Sequence, residues 1–225
     1  MFADMFRALG LILSGDPEVW QIVGVSLTVA LAALSGALVV GLPVAYWCGT
    51  SRARVARIGI WCAHSLAAFP TVVVGLMFYL ALSAQGPLGW THLLYTKSAM
   101  AAAQCVLATP LLVAVVLGAL RRLPLAARET LLTHHVATLR RAGWLLWEVR
   151  TAIASGAFLG FSRALTELGA ALIVGGNIRG STRTLTTYIA LEYDRGDDAR
   201  AIALGVILLA VALVTHSVMH IWAED

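Results

Sequence analysis

The sequence predicts an all-α, polytopic membrane protein: five transmembrane helices preceded by an amphipathic helix, forming one transmembrane domain over residues 1–225. Three observations predict it. Sixty per cent of the 225 residues are apolar and only 12% are charged, and the mean hydropathy is +0.83, beyond what a soluble domain of this size carries. The apolar residues fall in uncharged runs of membrane-crossing length, roughly 20 residues each. The basic residues gather in alternate loops, the bias that orients membrane helices.

At the start, Phe2, Met5, Phe6, Leu9, Ile12 and Leu13 recur at helical spacing, which predicts a helix lying on the bilayer surface. The early acidic residues and the lack of a small-residue cleavage site speak against a cleavable signal peptide. The uncharged run Val19–Ser51 supplies a first span at about 20–48. The apolar stretch from Ile58 is too long for one crossing and breaks at Gln85–His92, where Gly and Pro mark a turn. It gives a second span at 58–83 and a loop at 84–98. A third span covers 98–120, a fourth 151–174 and a fifth 201–222. Trp20, Trp47, Trp90 and Trp222 fall near span ends, where interfacial aromatics belong.

The segments 49–57 and 121–150 hold Arg52, Arg54, Arg57, Arg121, Arg122, Arg128, Arg140, Arg141 and Arg150 against only Glu129 and Glu148. The segments 84–98 and 175–200 hold Lys97, Arg179, Arg183, Arg195 and Arg200, with Glu192, Asp194, Asp197 and Asp198 offsetting four of the five. This asymmetry places 49–57 and 121–150 in the cytoplasm, the N-terminus outside and the C-terminus inside. The net charge of +4 is then topological, and a nucleic-acid partner is not expected.

Catalytic and metal chemistry find little footing. The single lysine, Lys97, follows Thr96 where a phosphate-binding loop needs Gly, so no ATP site of that kind and no other cofactor is expected in this chain. His134 and His135 are adjacent and would point about 100° apart on a helix, a poor pair for a metal. Cys48, Cys62 and Cys105 lie in or beside apolar runs and read as packing residues. The spans contain one carboxylate, Glu167, too few for acid–base work. A passive pathway, or the membrane part of a larger machine, remains.

Three stretches carry the functional reading. Arg163 and Glu167 stand four apart in the fourth span and share a helix face. An unpaired charge at mid-bilayer costs about 2.5–3.5 kcal/mol, so a structural ion pair is expected, with a pathway role in which Arg163 contacts a passing anion, or a proton-relaying Glu167, as alternatives. Gly175 and Gly176 follow, permitting close helix approach or unwinding. Asn177, Arg179, Ser181, Thr182 and Arg183 then form a polar turn at the outer end. Its hydroxyl and guanidinium groups suit a tetrahedral dianion, and they equally suit gating or the docking of another protein. Residues 121–150 read as helix, with Pro124 near a start and Gly143 as a break: a structured surface between two spans.

In position, length and flanks this last segment resembles the EAA loop of the permease subunits of ATP-binding-cassette importers, opening on Arg128-Glu129 and closing on Glu148-Val149-Arg150. The stretches LILSGDPEVW, FPTVVVGLMFYLALSAQGPLG and FSRALTELGAALIVGGNIRGSTRTLTTYIALEYDRGD resemble the oxyanion permeases, most closely the tungstate type, with the molybdate and sulfate permeases as relatives. The resemblance runs from about Leu11 to the last span. It implies the type I importer fold in a prokaryotic cytoplasmic membrane, a homodimer, a separate ATPase subunit carrying ATP and Mg, and an extracytoplasmic oxyanion-binding protein. It also implies a coupling helix that seats in the ATPase, with Glu129, Thr133, His134, His135, Val136 and Ala137 at the contact. Family members usually carry Gly where this chain places His135. Molybdate or sulfate transport, a stand-alone channel or secondary transporter, and a membrane scaffold are the competing readings.

Overall fold

The computed structural model describes residues 16–51, 53–124 and 138–224. Among them the chain forms nine α-helices and no strand: α1 (Pro17–Thr50), α2 (Ala53–Ala67), α3 (Thr71–Leu82), α4 (Lys97–Arg122), α5 (Thr138–Glu148), α6 (Arg150–Leu165), α7 (Gly169–Gly175), α8 (Leu185–Asp194) and α9 (Asp198–Glu224). By length and composition α1, α4 and α9 can each cross a membrane, whereas α2 with α3 and α6 with α7 can do so only as bent pairs. This is the helical, multi-pass architecture the composition predicts. The N-terminal amphipathic helix and the coupling residues Glu129, Thr133, His134, His135, Val136 and Ala137 lie outside the described residues.

Local chemistry sets the helix starts. The Asp16 carboxylate accepts the Glu18 N–H at 2.9 Å and Pro17 occupies the first turn, where its missing N–H costs nothing. The Thr96 hydroxyl caps α4 by accepting the Ala99 N–H at 3.2 Å. As a result α1 runs for 34 residues, longer at both ends than the expected 20–48, and α4 matches 98–120 within two residues.

Two expected spans are not single helices. The second, drawn at 58–83, bends by 87° between α2 and α3. Pro70 supplies no N–H, and its ring pushes Phe69 away from helical geometry. The fourth, drawn at 151–174, bends by 59° between α6 and α7, so Arg163 and Glu167 do not share one continuous helix face. Gly143 does not break the helix around it, because α5 runs through it and a residue there meets only open space. The break comes at Val149, with φ −105° and ψ 22°. The segment 175–200, expected as a loop, contains α8.

The centre is α1, α4 and α6, held together by small residues. Ala30, Ala33, Ala37, Ala45 and Ala108 are fully buried, and a Cβ on Gly156 would lie 3.0 Å from a Leu112 methyl. Without a hydrophobic drive between lipid-bathed helices, such backbone approach is what dispersion needs. The α9 helix joins through Leu204, which packs with Ile22, Val23, Leu185 and Tyr188. The outward faces are apolar: Val39, Val40 and Trp47 of α1, Leu76, Met77 and Leu80 of α3, and Leu209, Leu213 and Val218 of α9 are exposed. Gly49 of α1 meets Leu120 of α4, which collects Arg54, Arg57, Arg121 and Arg122 at one end of the bundle. Glu18, Arg179 and Arg183 mark the opposite end.

Candidate functional site

The break in the fourth span is built by side chains that compete for backbone groups. The Thr166 hydroxyl turns back to the Ser162 carbonyl at 2.8 Å, closing α6. Glu167, only 6% exposed, then accepts the Ala170 N–H on its Oε1 at 3.1 Å and so caps α7. Arg163 stands off at 3.9 Å from the other carboxylate oxygen, with 40% of its side chain exposed. The two residues meet as expected, but the carboxylate's shorter bond is to backbone. The Glu167 carbonyl, freed by the break, accepts the Thr186 hydroxyl from α8 at 2.9 Å. Two residues after Glu167, a Cβ on Gly169 would lie 2.9 Å from a Val72 methyl and 3.2 Å from the Thr71 Oγ1. Thr71 opens α3 directly after the Pro70 bend, so the two bends face each other. The half-helices beyond them are locked together: a Cβ on Gly75 would sit 2.8 Å from the Ala170 Cα.

The polar turn after α7 is tied from within and from outside. Gly176 has φ +69° and lies under the Tyr95 ring, whose backbone N–H donates to the Val174 carbonyl at 3.0 Å. Only Gly satisfies both the left-handed φ and that contact. A Cβ on Gly175 would lie 2.6 Å from the Met100 sulfur. These contacts favour close packing as the reason for the glycine pair. Thr182 is fully buried; its hydroxyl donates to the Gly175 carbonyl and accepts the Ile178 N–H at 3.1 Å. Asn177, at φ 50°, donates to the Thr187 carbonyl and accepts the Arg183 Nε, both at 3.3 Å.

The two arginines of the turn converge on a residue from the other end of the sequence. Arg179 donates Nε and Nη2 to the two oxygens of Glu18 at 2.8 and 2.6 Å, and Arg183 adds Nη1 at 3.3 Å. The Glu18 hydrogen bonds and charge raise Arg179 above its ordinary value. Arg183 also lies 4.9 Å over the Tyr188 ring. The opposite charges of 175–200 therefore do not simply offset one another: Arg195 pairs with Glu192 at 2.9 Å, whereas Arg179 and Arg183 reach to α1. Further ties anchor α8: Thr184 and Thr187 form a reciprocal cap, and the Leu185 N–H donates to the Ser26 hydroxyl at 2.8 Å.

Sequence reasoning missed Glu18, Ser26, Tyr95, Met100 and Thr186. For Glu18 a signal existed, since Arg179 and Arg183 lack acidic neighbours in their own turn. The others are long-range contacts without a local mark. Chemically, the assembled site offers guanidinium, amide and hydroxyl donors at a membrane end, suited to anion contact or protein docking.

No family model matches the chain. It is 35% identical to the tungstate uptake system permease protein of Peptoclostridium acidaminophilum over 224 residues, 99% of this chain and 98% of that one. It is 38% identical to a probable anion ABC transporter permease protein of Haloferax volcanii over 198 residues, 86% of this chain and 85% of the relative. It is 29% identical to the molybdenum transport system permease protein of Azotobacter vinelandii over 211 residues, 84% of this chain and 89% of the relative.

Proposed function

Because the chain belongs to the family of oxyanion permeases of ATP-binding-cassette importers that includes the tungstate uptake permeases, we propose that it forms the translocation pathway through which such an importer moves tungstate. The observation that carries this reading is the near-complete coverage of both chains in the tungstate relationship. The multi-pass helical fold agrees with it. Molybdate is the second reading, supported by the more distant molybdenum permease.

In this proposal two copies pair in a prokaryotic cytoplasmic membrane with the arginine-rich end inside, the orientation that the charge asymmetry favours. The N-terminus then faces out and the C-terminus the cytoplasm. A separate ATPase subunit binds ATP and Mg and docks on residues 121–150, with Glu129 and Thr133, His134, His135, Val136 and Ala137 as the contact. An extracytoplasmic protein selects the oxyanion and delivers it to the Gly175–Arg183 turn. The chain itself is a transport subunit, and its work is conformational: motion of the coupling segment passes along α6 to the break, then through α7 to the turn. Arg163 and Glu167 act as the structural pair at that break, with Glu167 as its cap.

Reconstitution tests the proposal. The chain, its ATPase and its binding protein in proteoliposomes should take up tungstate only with ATP, and deletion of 125–137 should abolish uptake. Transport by the chain alone, surviving that deletion, would show a channel or secondary transporter instead. Calorimetry on the binding protein with tungstate, molybdate and sulfate checks the cargo; a clear preference for another oxyanion would change the substrate assignment.

A further inference from the structure

The contact between Glu18 and the two arginines has a form that holding the fold together does not require. Asp16 already caps α1, so Glu18 is not needed for that task. Yet Arg179 grips it side-on through both oxygens, the fork geometry with which a guanidinium holds any two-oxygen anion. Arg183 approaches the same carboxylate with a preset direction, because its Nε is held by Asn177 and its face lies on Tyr188. Two guanidinium groups share this one carboxylate, and the more distant Asp16 charge also acts on Arg179 without a hydrogen bond to it. The place opens on the Arg179 side, where that side chain is 74% exposed, while those of Glu18 and Arg183 beneath it are 22% and 11% exposed.

We propose that Arg179 and Arg183 form an entry seat for the tetrahedral oxyanion and that Glu18 is its built-in competitor, filling the seat when no anion is present. The inference rests on the oxyanion-permease reading. A tetrahedral dianion brings two charges and more acceptor oxygens, where the carboxylate brings one charge and two oxygens, so it neutralises both arginines at once. The displaced Glu18 remains on the first turn of α1, where the helix dipole favours a negative charge. The exchange links cargo to conformation, since an anion in the seat releases the ionic tie between the start of α1 and the α7–α8 turn and leaves only the Gln21–Gly180 and Ser26–Leu185 hydrogen bonds and the apolar packing between them. If the carboxylate holds the seat about nine-tenths of the time, its removal raises the apparent affinity about tenfold.

The test is equilibrium dialysis of radiolabelled tungstate against the full chain in lipid nanodiscs, without partner proteins. Glu18→Gln should bind about ten times more tightly than wild type. Arg179→Ala and Arg183→Lys, which remove a charge or a fork, should bind at least several-fold more weakly. Melting curves identify folded variants. Should Glu18→Gln fail to fold, Glu18→Asp, too short to span both arginines, replaces it with the same expected tightening. Unchanged or weaker binding by the folded Glu18 variant, or wild-type binding by both arginine variants, overturns the proposal. So does an effect seen only after adding the binding protein, which would assign the arginines to docking. Normal ATP-driven uptake alongside any of these results leaves the transport reading intact and removes only the seat and its competitor.

Discussion

Replacing Gly75 with Ala adds one methyl where α3 and α7 touch. That carbon would lie 2.8 Å from the Ala170 Cα and 3.4 Å from the Cβ atoms of Ala170 and Ile173. The nearest atom is backbone, so no side-chain rotation relieves the overlap. The two half-helices must separate by several tenths of an ångström, at a cost of about 1–3 kcal/mol for overpacking. Better helix propensity returns up to about 1 kcal/mol. Gly118→Ala supplies that propensity term alone, because its Cβ meets nothing within 4 Å. The difference between the two variants therefore isolates the overlap. At about 2–4 °C per kcal/mol for a chain of this length, Gly75→Ala should melt about 2–12 °C below Gly118→Ala in the same detergent. Equal melting temperatures would refute the locked contact. ATP-driven uptake in proteoliposomes should also fall in Gly75→Ala and not in Gly118→Ala, since only the first disturbs the surface between the bends.

Thr186→Val keeps the shape of the side chain but leaves the Glu167 carbonyl without its hydroxyl donor; a loss of about 1–3 kcal/mol is expected, read as a lower melting temperature. Glu167→Gln retains an oxygen to cap α7 and should melt near wild type, whereas Glu167→Ala removes the cap and should cost about 1 kcal/mol together with coupled uptake. An equal loss in both would show that charge, not capping, is what Glu167 contributes. Gly176→Ala combines a left-handed φ with a clash on Tyr95, while Gly180→Ala carries the φ alone, its Cβ lying 3.9 Å from the Gln21 amide. The second should lose about 1–2 kcal/mol and the first clearly more, measured by the same thermal scan.

Much of the fold is legible in the sequence because membrane helices are written in long apolar runs. The ends of α4 and the existence of α1 and α9 follow from hydropathy and caps alone. The two bent pairs show where that reading fails. Pro70 gave a local warning, since the residue before proline avoids helical geometry. Thr166 and Glu167 gave none, because their four-residue offset from Ser162 and Arg163 is also the pattern of an unbroken helix. The bend exists because Glu167 finds Ala170 and because Thr186, nineteen positions away, takes the carbonyl that the bend releases. The turn at Gly175–Arg183 was visible as a polar stop, but its arginines are oriented by Glu18, 161 and 165 positions away. Contacts of that range leave no periodicity behind.

The length of α1 has a consequence of its own. Its 34 residues make a rod of about 51 Å, against a hydrocarbon layer about 30 Å thick. Even at a 40° tilt, the upper end of the usual range, the rod reaches about 39 Å along the membrane normal. At least one end therefore stands among the lipid headgroups, and thickening the membrane draws more of the rod into oil. Packing against α4 and α6 fixes the direction of α1, so a change in bilayer thickness is felt at its ends. One of those ends carries Glu18 and, through it, the arginines of the α7–α8 turn, so the acyl-chain length of the host membrane decides how deep among the headgroups that contact lies.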